Sequence, residues 1–251
     1  MDFPSSTEYA VQMSCKSCVN AVKKTLEGVD GISSFDINLE EQRVVVKSVL
    51  LSSQIKELLE KSGKKVALQG YGSELTGKNL GAAVAAIDMG KSMVQGVIRL
   101  VQASPKTCVI EGTLDGLKPG VHRLSIHEYG DISNGCNSCG DIYGLKQKFD
   151  KDAPGNLDVI KAGETGRSDF RLVKDNLIIS EIIGRSMVIH EGNDISFTGN
   201  PSDRVGCGVI ARSAGLFQNV KKICACDGVN VWNEKVKPGN TAENELPNAK
   251  I

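Results

Sequence analysis

The chain has no excess of either charge: 30 Lys and Arg balance 30 Asp and Glu. Without a dominant sign, no long-range field draws it to nucleic acid or to an anionic membrane surface. Aromatic residues are few, 4% with one Trp, although 40% hydrophobic residues are enough for ordinary cores. Long hydrophobic runs are missing as well. The longest, residues 80–87, is too short to span a bilayer. Met1-Asp2-Phe3-Pro4-Ser5-Ser6 lacks the basic-then-apolar order of a secretory signal. No Asn-x-Ser/Thr acceptor occurs without an intervening proline. A reducing cytosol is therefore the expected compartment, where paired cysteines more often serve metal or redox chemistry than structure. Histidine is the scarcest functional residue: only His122, His127 and His190 are present.

The chain does hold eight cysteines and 27 glycines in 251 residues. That length allows one large β domain or two smaller domains. Residues 8–70 read as strand, helix, two strands, helix, strand. Tyr9, Val11 and Met13 alternate, then Val22, Leu26 and Val29 take a helical spacing that stops at Gly28 and Gly31. Residues 32–39 and 43–49 form a hairpin, Ser52 or Ser53 can cap a second helix carrying Ile55, Leu58 and Leu59, and residues 66–68 supply a last strand. Four antiparallel strands backed by two helices follow from this order. A glycine-rich linker, residues 70–77, leads to short alternating runs at 83–87, 96–102, 108–113, 123–128, 169–172 and 187–190. Gly, Pro, Asn and Asp separate them, the pattern of an all-β sandwich or barrel. After about residue 223 the apolar periodicity ends, and a polar tail with two prolines is expected from residue 235. Three domains result: 1–75, 76–222 and 223–251.

Cys15 and Cys18 lie at the first loop-to-helix junction, one thiol in the loop and one in the first helical turn, where the helix dipole lowers a thiol's pKa. A zinc site wants four ligands, and no second cysteine pair or histidine occurs in residues 1–75. Two soft thiolates without further ligands suit Cu(I). Met13-x-Cys15-x-x-Cys18 in this βαββαβ order resembles the heavy-metal-associated domain, a ferredoxin-like α+β fold, of copper chaperones and copper ATPases. Met13 is read as core rather than as a ligand. Lys64 or Lys65 can offset the negative charge of a copper dithiolate, or be merely solvated.

Gly120-Val121-His122-Arg123-Leu124-Ser125-Ile126-His127-Glu128-Tyr129-Gly130-Asp131 resembles the copper-site strand of Cu/Zn superoxide dismutases. So do residues 182–191 and 203–211, and the resemblance implies an eight-stranded Greek-key barrel. That family's copper and zinc ligands are mostly histidines. His127 and His190 match copper ligands, but another copper position is Ser125, the bridging position falls near Ile142, and the zinc loop holds no histidine. His122 matches a loop-joining residue. Two imidazoles cannot hold redox-cycling Cu(II) with useful affinity, so neither dismutase activity nor zinc in this domain is expected. The resemblance further implies a Cys136–Cys207 disulfide, a bracing role for Arg204, and a subunit interface at Ile183, Gly184, Arg185, residues 208–210 and the loop near 129–136. Cys108 and Cys139 are read as spectator thiols.

Cys224-Ala225-Cys226 is too tightly spaced for an unstrained disulfide, so a bridge there would be oxidising and exchangeable. Reduced, the pair can carry Cu(I). The three parts in this order resemble the copper chaperones for superoxide dismutase. That implies Cu(I) acquired at Cys15 and Cys18, and transfer and thiol exchange at Cys224 and Cys226. It also implies a heterodimer with Cu/Zn superoxide dismutase, with a homodimer and a copper-transporter donor as further partners. The family extends the compartments to the mitochondrial intermembrane space. An active dismutase with a copper-loading domain, or a copper-sequestering protein, are the rival readings.

Overall fold

The computed structural model describes residues 3–73, 80–90, 93–145, 152–192 and 203–219. The N-terminal module runs β1 (Ser5–Val11), α1 (Lys16–Leu26), β2 (Ile32–Asn38), β3 (Arg43–Ser48), α2 (Ser52–Glu60) and β4 (Val66–Gly72). Its sheet is antiparallel in the order β2-β3-β1-β4. Helix α1 buries Cys18, Val22 and Leu26, one face at a spacing of four residues. These meet Ile55 and Leu59 of α2 and Tyr9, Val11, Val44 and Val46 of the sheet.

Val29 lies beyond the helix, which ends at Leu26. Met13 lies beyond β1 yet stays buried in the same core. The capping role expected of Ser52 or Ser53 is not observed, because Leu51 is the N-cap. The Leu51 N–H donates instead to Gln54 Oε1 at 3.0 Å. Ser52 is held from both sides, its carbonyl accepting from Tyr9 Oη at 2.9 Å and its N–H donating to Glu111 Oε2 at 3.3 Å.

The second module contains β5 (Ala82–Ile87), β6 (Gln95–Gln102), β7 (Thr107–Asp115), β8 (Gly120–His127), β9 (Ser133–Cys136), β10 (Asn156–Ala162), β11 (Ser168–Asp175), α3 (Ile179–Ile182), β12 (Ser186–Glu191) and β13 (Arg204–Arg212). Eight of these strands form an antiparallel sheet in the order β10-β8-β12-β13-β5-β6-β7-β11. Its end strands approach each other, leaving a nearly closed barrel. The non-consecutive pairings β7–β11 and β8–β12 mark the Greek-key crossings, and β13–β5 joins the last strand to the first. Inward residues such as Ile98, Leu100, Ile110, Leu114, Leu124, Ile126, Met187 and Ile189 fill the interior. Strand β10 escaped the periodicity reading: Leu157 and Ile160 face the core at an irregular spacing, with a register shift between Asn156 and Asp158.

Both modules belong to one compact unit, Met1–Val220. Glu111 of β7 is buried at their joint. It pairs with Arg171 at 3.1 Å and accepts from the Tyr71 hydroxyl and the Ser52 N–H. Arg171 also donates to the Phe3 carbonyl at 3.0 Å and to Ser5 Oγ at 2.9 Å. Beyond β13, residues 213–219 form a strap against the N-terminal sheet. The Phe217 N–H donates to Glu8 Oε2 at 2.6 Å, and Arg43 stacks over the Phe217 ring at 4.5 Å. A side chain at Gly70 would strike the Gly215 carbonyl, and one at Gly72 would strike Leu216. These two glycines, read from sequence as linker, are strand residues that let the strap approach.

Candidate metal site

Cys15 is the N-cap of α1, in extended conformation and exposed, while Cys18 sits in the first turn. The Cys18 and Val19 N–H groups both donate to the Cys15 carbonyl, at 3.0 and 3.3 Å. This turn brings the two sulfurs to 3.4 Å. Ser17 Oγ lies 2.9 Å from the Cys15 sulfur, and Ser14 Oγ 3.8 Å from the Cys18 sulfur. Hydrogen bonding pulls the Cys18 thiol down to about 6, led by the Ser14 backbone N–H and followed by Cys15, the Ser14 hydroxyl and Lys64. Lys64 is thus the lysine placed beside the sulfur pair. Cys18 is consequently a thiolate at neutral pH, the form that binds soft metals.

Met13 is 1% exposed and packed in the core. Among the described residues, no group of three or more His, Cys, Asp or Glu side chains could hold a metal ion. The paired sulfurs are open to solvent on the Cys15 side.

In the barrel, His127 and His190 come together without further imidazoles. His127 Nδ1–H donates to the Gly140 carbonyl at 2.9 Å, so its Nε2 accepts from His190 Nε2–H at 3.0 Å. Burial pushes the first down to about 4; burial, then His127 and two arginines, pushes the second to about 3. A neutral, mutually satisfied pair results. Ser125, at one missing ligand position, is buried, and its hydroxyl has no hydrogen-bond partner among the described residues. Ile142, near the bridging position, forms a backbone bridge with His127. His122 donates from Nε2 to the Lys118 carbonyl at 2.8 Å, joining a strand to a loop.

Cys136 and Cys207 form a disulfide with Cα atoms 5.7 Å apart. Arg204 donates to the carbonyls of Cys136 at 2.7 Å and Gly140 at 2.8 Å, which is a bracing geometry. Cys139 and Cys108 are fully buried, and burial raises Cys108 to about 12.

The expected docking stretches converge on one surface. The Gly184 N–H donates to the Ile210 carbonyl at 2.8 Å, and the Ile210 N–H to the Arg185 carbonyl at 2.8 Å. Gly130 lies so close to the Gly184 carbonyl and Val209 that a β-carbon there would clash. Tyr129 beside it is 61% exposed. Arg185 turns inward, donating to the Glu128 carbonyl at 2.8 Å and stacking 3.8 Å above the Tyr143 ring. It braces this surface while Ile183 packs against the barrel core. Cys224 and Cys226 lie outside the described residues.

Two residues read from sequence only as part of a strand and of a hairpin turn make contacts that join separate elements: Glu111 at the module joint and Gln42, whose Nε2 donates to the Met13 carbonyl at 2.8 Å. Neither belongs to a motif or a periodic face, so only three-dimensional proximity reveals them.

Comparison with known proteins matches the two modules separately and then the chain as a whole. Residues 8–65 match the heavy-metal-associated domain, and residues 94–210 match copper/zinc superoxide dismutase (SODC). The copper chaperone for superoxide dismutase of Homo sapiens is 45% identical over 247 residues, covering 92% of this chain and 89% of that protein. The copper chaperone for superoxide dismutase, chloroplastic/cytosolic, of Arabidopsis thaliana is 35% identical over 230 residues, covering 90% of this chain and 69% of that protein. The superoxide dismutase 1 copper chaperone of Saccharomyces cerevisiae is 33% identical over 245 residues, covering 90% and 92%.

Proposed function

Because the chain belongs to the copper chaperones for superoxide dismutase, we propose a division of labour among its three parts. The protein is a metallochaperone rather than an enzyme; copper is its cargo and Cu/Zn superoxide dismutase its client. Cys15 and Cys18 acquire the metal as Cu(I), delivered by a copper-transporter donor. The barrel docks the client through the surface around Tyr129, Gly130, Ile183, Gly184 and Val209, forming a heterodimer. Self-pairing through the same surface allows a homodimer in the absence of client.

The observation that carries this reading is a contrast within one molecule. An open two-sulfur site with a thiolate at neutral pH is joined to a barrel whose two remaining metal-position histidines satisfy each other. Copper leaves such a two-sulfur site by ligand exchange, an incoming thiolate replacing one of the two. Cys224 and Cys226 supply the transfer and exchange thiols. Oxidised, they accept attack by a client thiolate, and a second client thiolate resolves the mixed disulfide. The client gains its disulfide, and the two electrons rest on the reduced tail pair. The barrel binds neither copper nor zinc. The compartment is the cytosol, with the intermembrane space of mitochondria as a second site of action.

Mixing the chain with metal-free, disulfide-reduced Cu/Zn superoxide dismutase tests the docking reading. A heterodimer at micromolar concentrations is expected, whereas separate elution of the two proteins would leave copper sequestration as the better account. The Cys224→Ser/Cys226→Ser double variant is expected to keep Cu(I) at Cys15 and Cys18 and to fail in client maturation. Normal maturation would remove the tail from the pathway.

A further inference from the structure

Gln42 occupies the left-handed backbone region, with φ of +53°, which glycine or asparagine enters more readily than a long side chain. It closes the turn between β2 and β3, its N–H donating to the Leu39 carbonyl at 3.2 Å. Two further bonds leave the turn for the segment that carries the cysteines. The Gln42 carbonyl accepts from the Val11 N–H at 2.8 Å. Its side-chain Nε2 donates to the Met13 carbonyl at 2.8 Å, across 29 residues of sequence.

The Met13 carbonyl belongs to the same peptide unit as the Ser14 N–H. Ser14 in turn borders the sulfur pair, its Oγ 3.8 Å from the Cys18 sulfur. A trans peptide is planar, with its carbonyl and N–H on opposite edges. Fixing the carbonyl therefore fixes the orientation of the whole Met13–Ser14 peptide. Ser14 is exposed and Met13 buried, so this peptide is the hinge between the fixed core and the open metal loop.

We propose that Gln42 is a positioning residue for Cu(I) retention, holding the Met13–Ser14 peptide so that Ser14 stays against the Cys18 sulfur. The inference rests on Cys15 and Cys18 being the copper-acquiring pair. It assigns a use to a backbone conformation that turn closure alone would give to glycine. Outer partners that orient metal ligands typically change affinity by about 10- to 100-fold when removed.

The test separates the side chain from the turn. Gln42→Gly keeps the backbone bonds, suits the left-handed conformation and deletes the amide; Gln42→Met keeps length without a donor. Cu(I) affinity of the full chain is measured by competition with a chromophoric chelator, and thermal unfolding is followed in parallel. Gln42→Gly is expected to melt at or above the wild-type temperature while holding Cu(I) about tenfold more weakly, and Gln42→Met to show the same weakening. Wild-type affinity in both variants would overturn the proposal. So would a Gln42→Gly chain that loses copper only in proportion to lost stability, since the side chain would then serve the turn. If Cys15→Ser with Cys18→Ser removes no Cu(I) from the wild-type chain, the copper-pair reading itself fails, and this inference falls with it.

Discussion

Cys18 and Cys108 are the same side chain in opposite surroundings. Donors at the helix start bring Cys18 down to about 6, and apolar burial drives Cys108 up to about 12. The ultraviolet thiolate absorbance of the metal-free, reduced chain is therefore expected to show a step with a midpoint near pH 6; a first step only above pH 8 would contradict it. The histidines follow the same logic with opposite sign. His127 and His190 have folded values of about 4 and 3, below the roughly 6.5 of an unfolded imidazole. The unfolded chain binds protons first, so the pair's stabilisation is complete above about pH 6.5 and fades as pH falls through 4 and 3. Their ring resonances are expected to keep neutral positions at pH 5.5, and titration near 6.5 would show that the pair is exposed.

At the scale of elements, the thiol-pair loop was legible because its chemistry is local. A thiol pair at a strand-to-helix junction reads directly from sequence. Six barrel strands were equally legible from alternation, whereas β10 was hidden by an irregular core spacing and a register shift. The joints were not legible at all. Glu111 lies in a strand where a buried carboxylate breaks the pattern, and its partners Tyr71 and Arg171 are 40 and 60 residues away. Removing one member of a buried ion pair leaves the other uncompensated, and such losses run to about 3–5 kcal/mol. Glu111→Ala is accordingly expected to cost about 3 kcal/mol in chemical denaturation; a change under about 0.5 kcal/mol would mean that the joint is solvated. The Cys136–Cys207 bridge closes a separation of 71 residues. Reducing it is expected to cost the barrel about 4 kcal/mol, and an unchanged denaturation midpoint in reductant would place the bridge outside the stability account.

On the largest scale, the thiol pair and the barrel belong to one compact unit. The strap of residues 213–219 runs from the last barrel strand to Glu8 and Arg43 of the copper-binding module. The last described residues therefore lie beside the N-terminal module, although by sequence they follow the barrel. The proposed docking surface contains a close backbone approach, which Gly130 permits against Gly184 and Val209. Gly130→Ala is expected to weaken client binding by at least about tenfold, ~1.4 kcal/mol, with Cu(I) affinity unchanged. Equal client binding by sedimentation would move the interface elsewhere. The most direct measurement is copper transfer from the Cu(I)-loaded chain to metal-free, disulfide-reduced Cu/Zn superoxide dismutase, with excess Cu(I) chelator to trap released metal. Dismutase activity is expected to appear in the client and to be absent from the chain alone. An inactive client with all copper on the chelator, or superoxide turnover by the chain without client, would contradict the account.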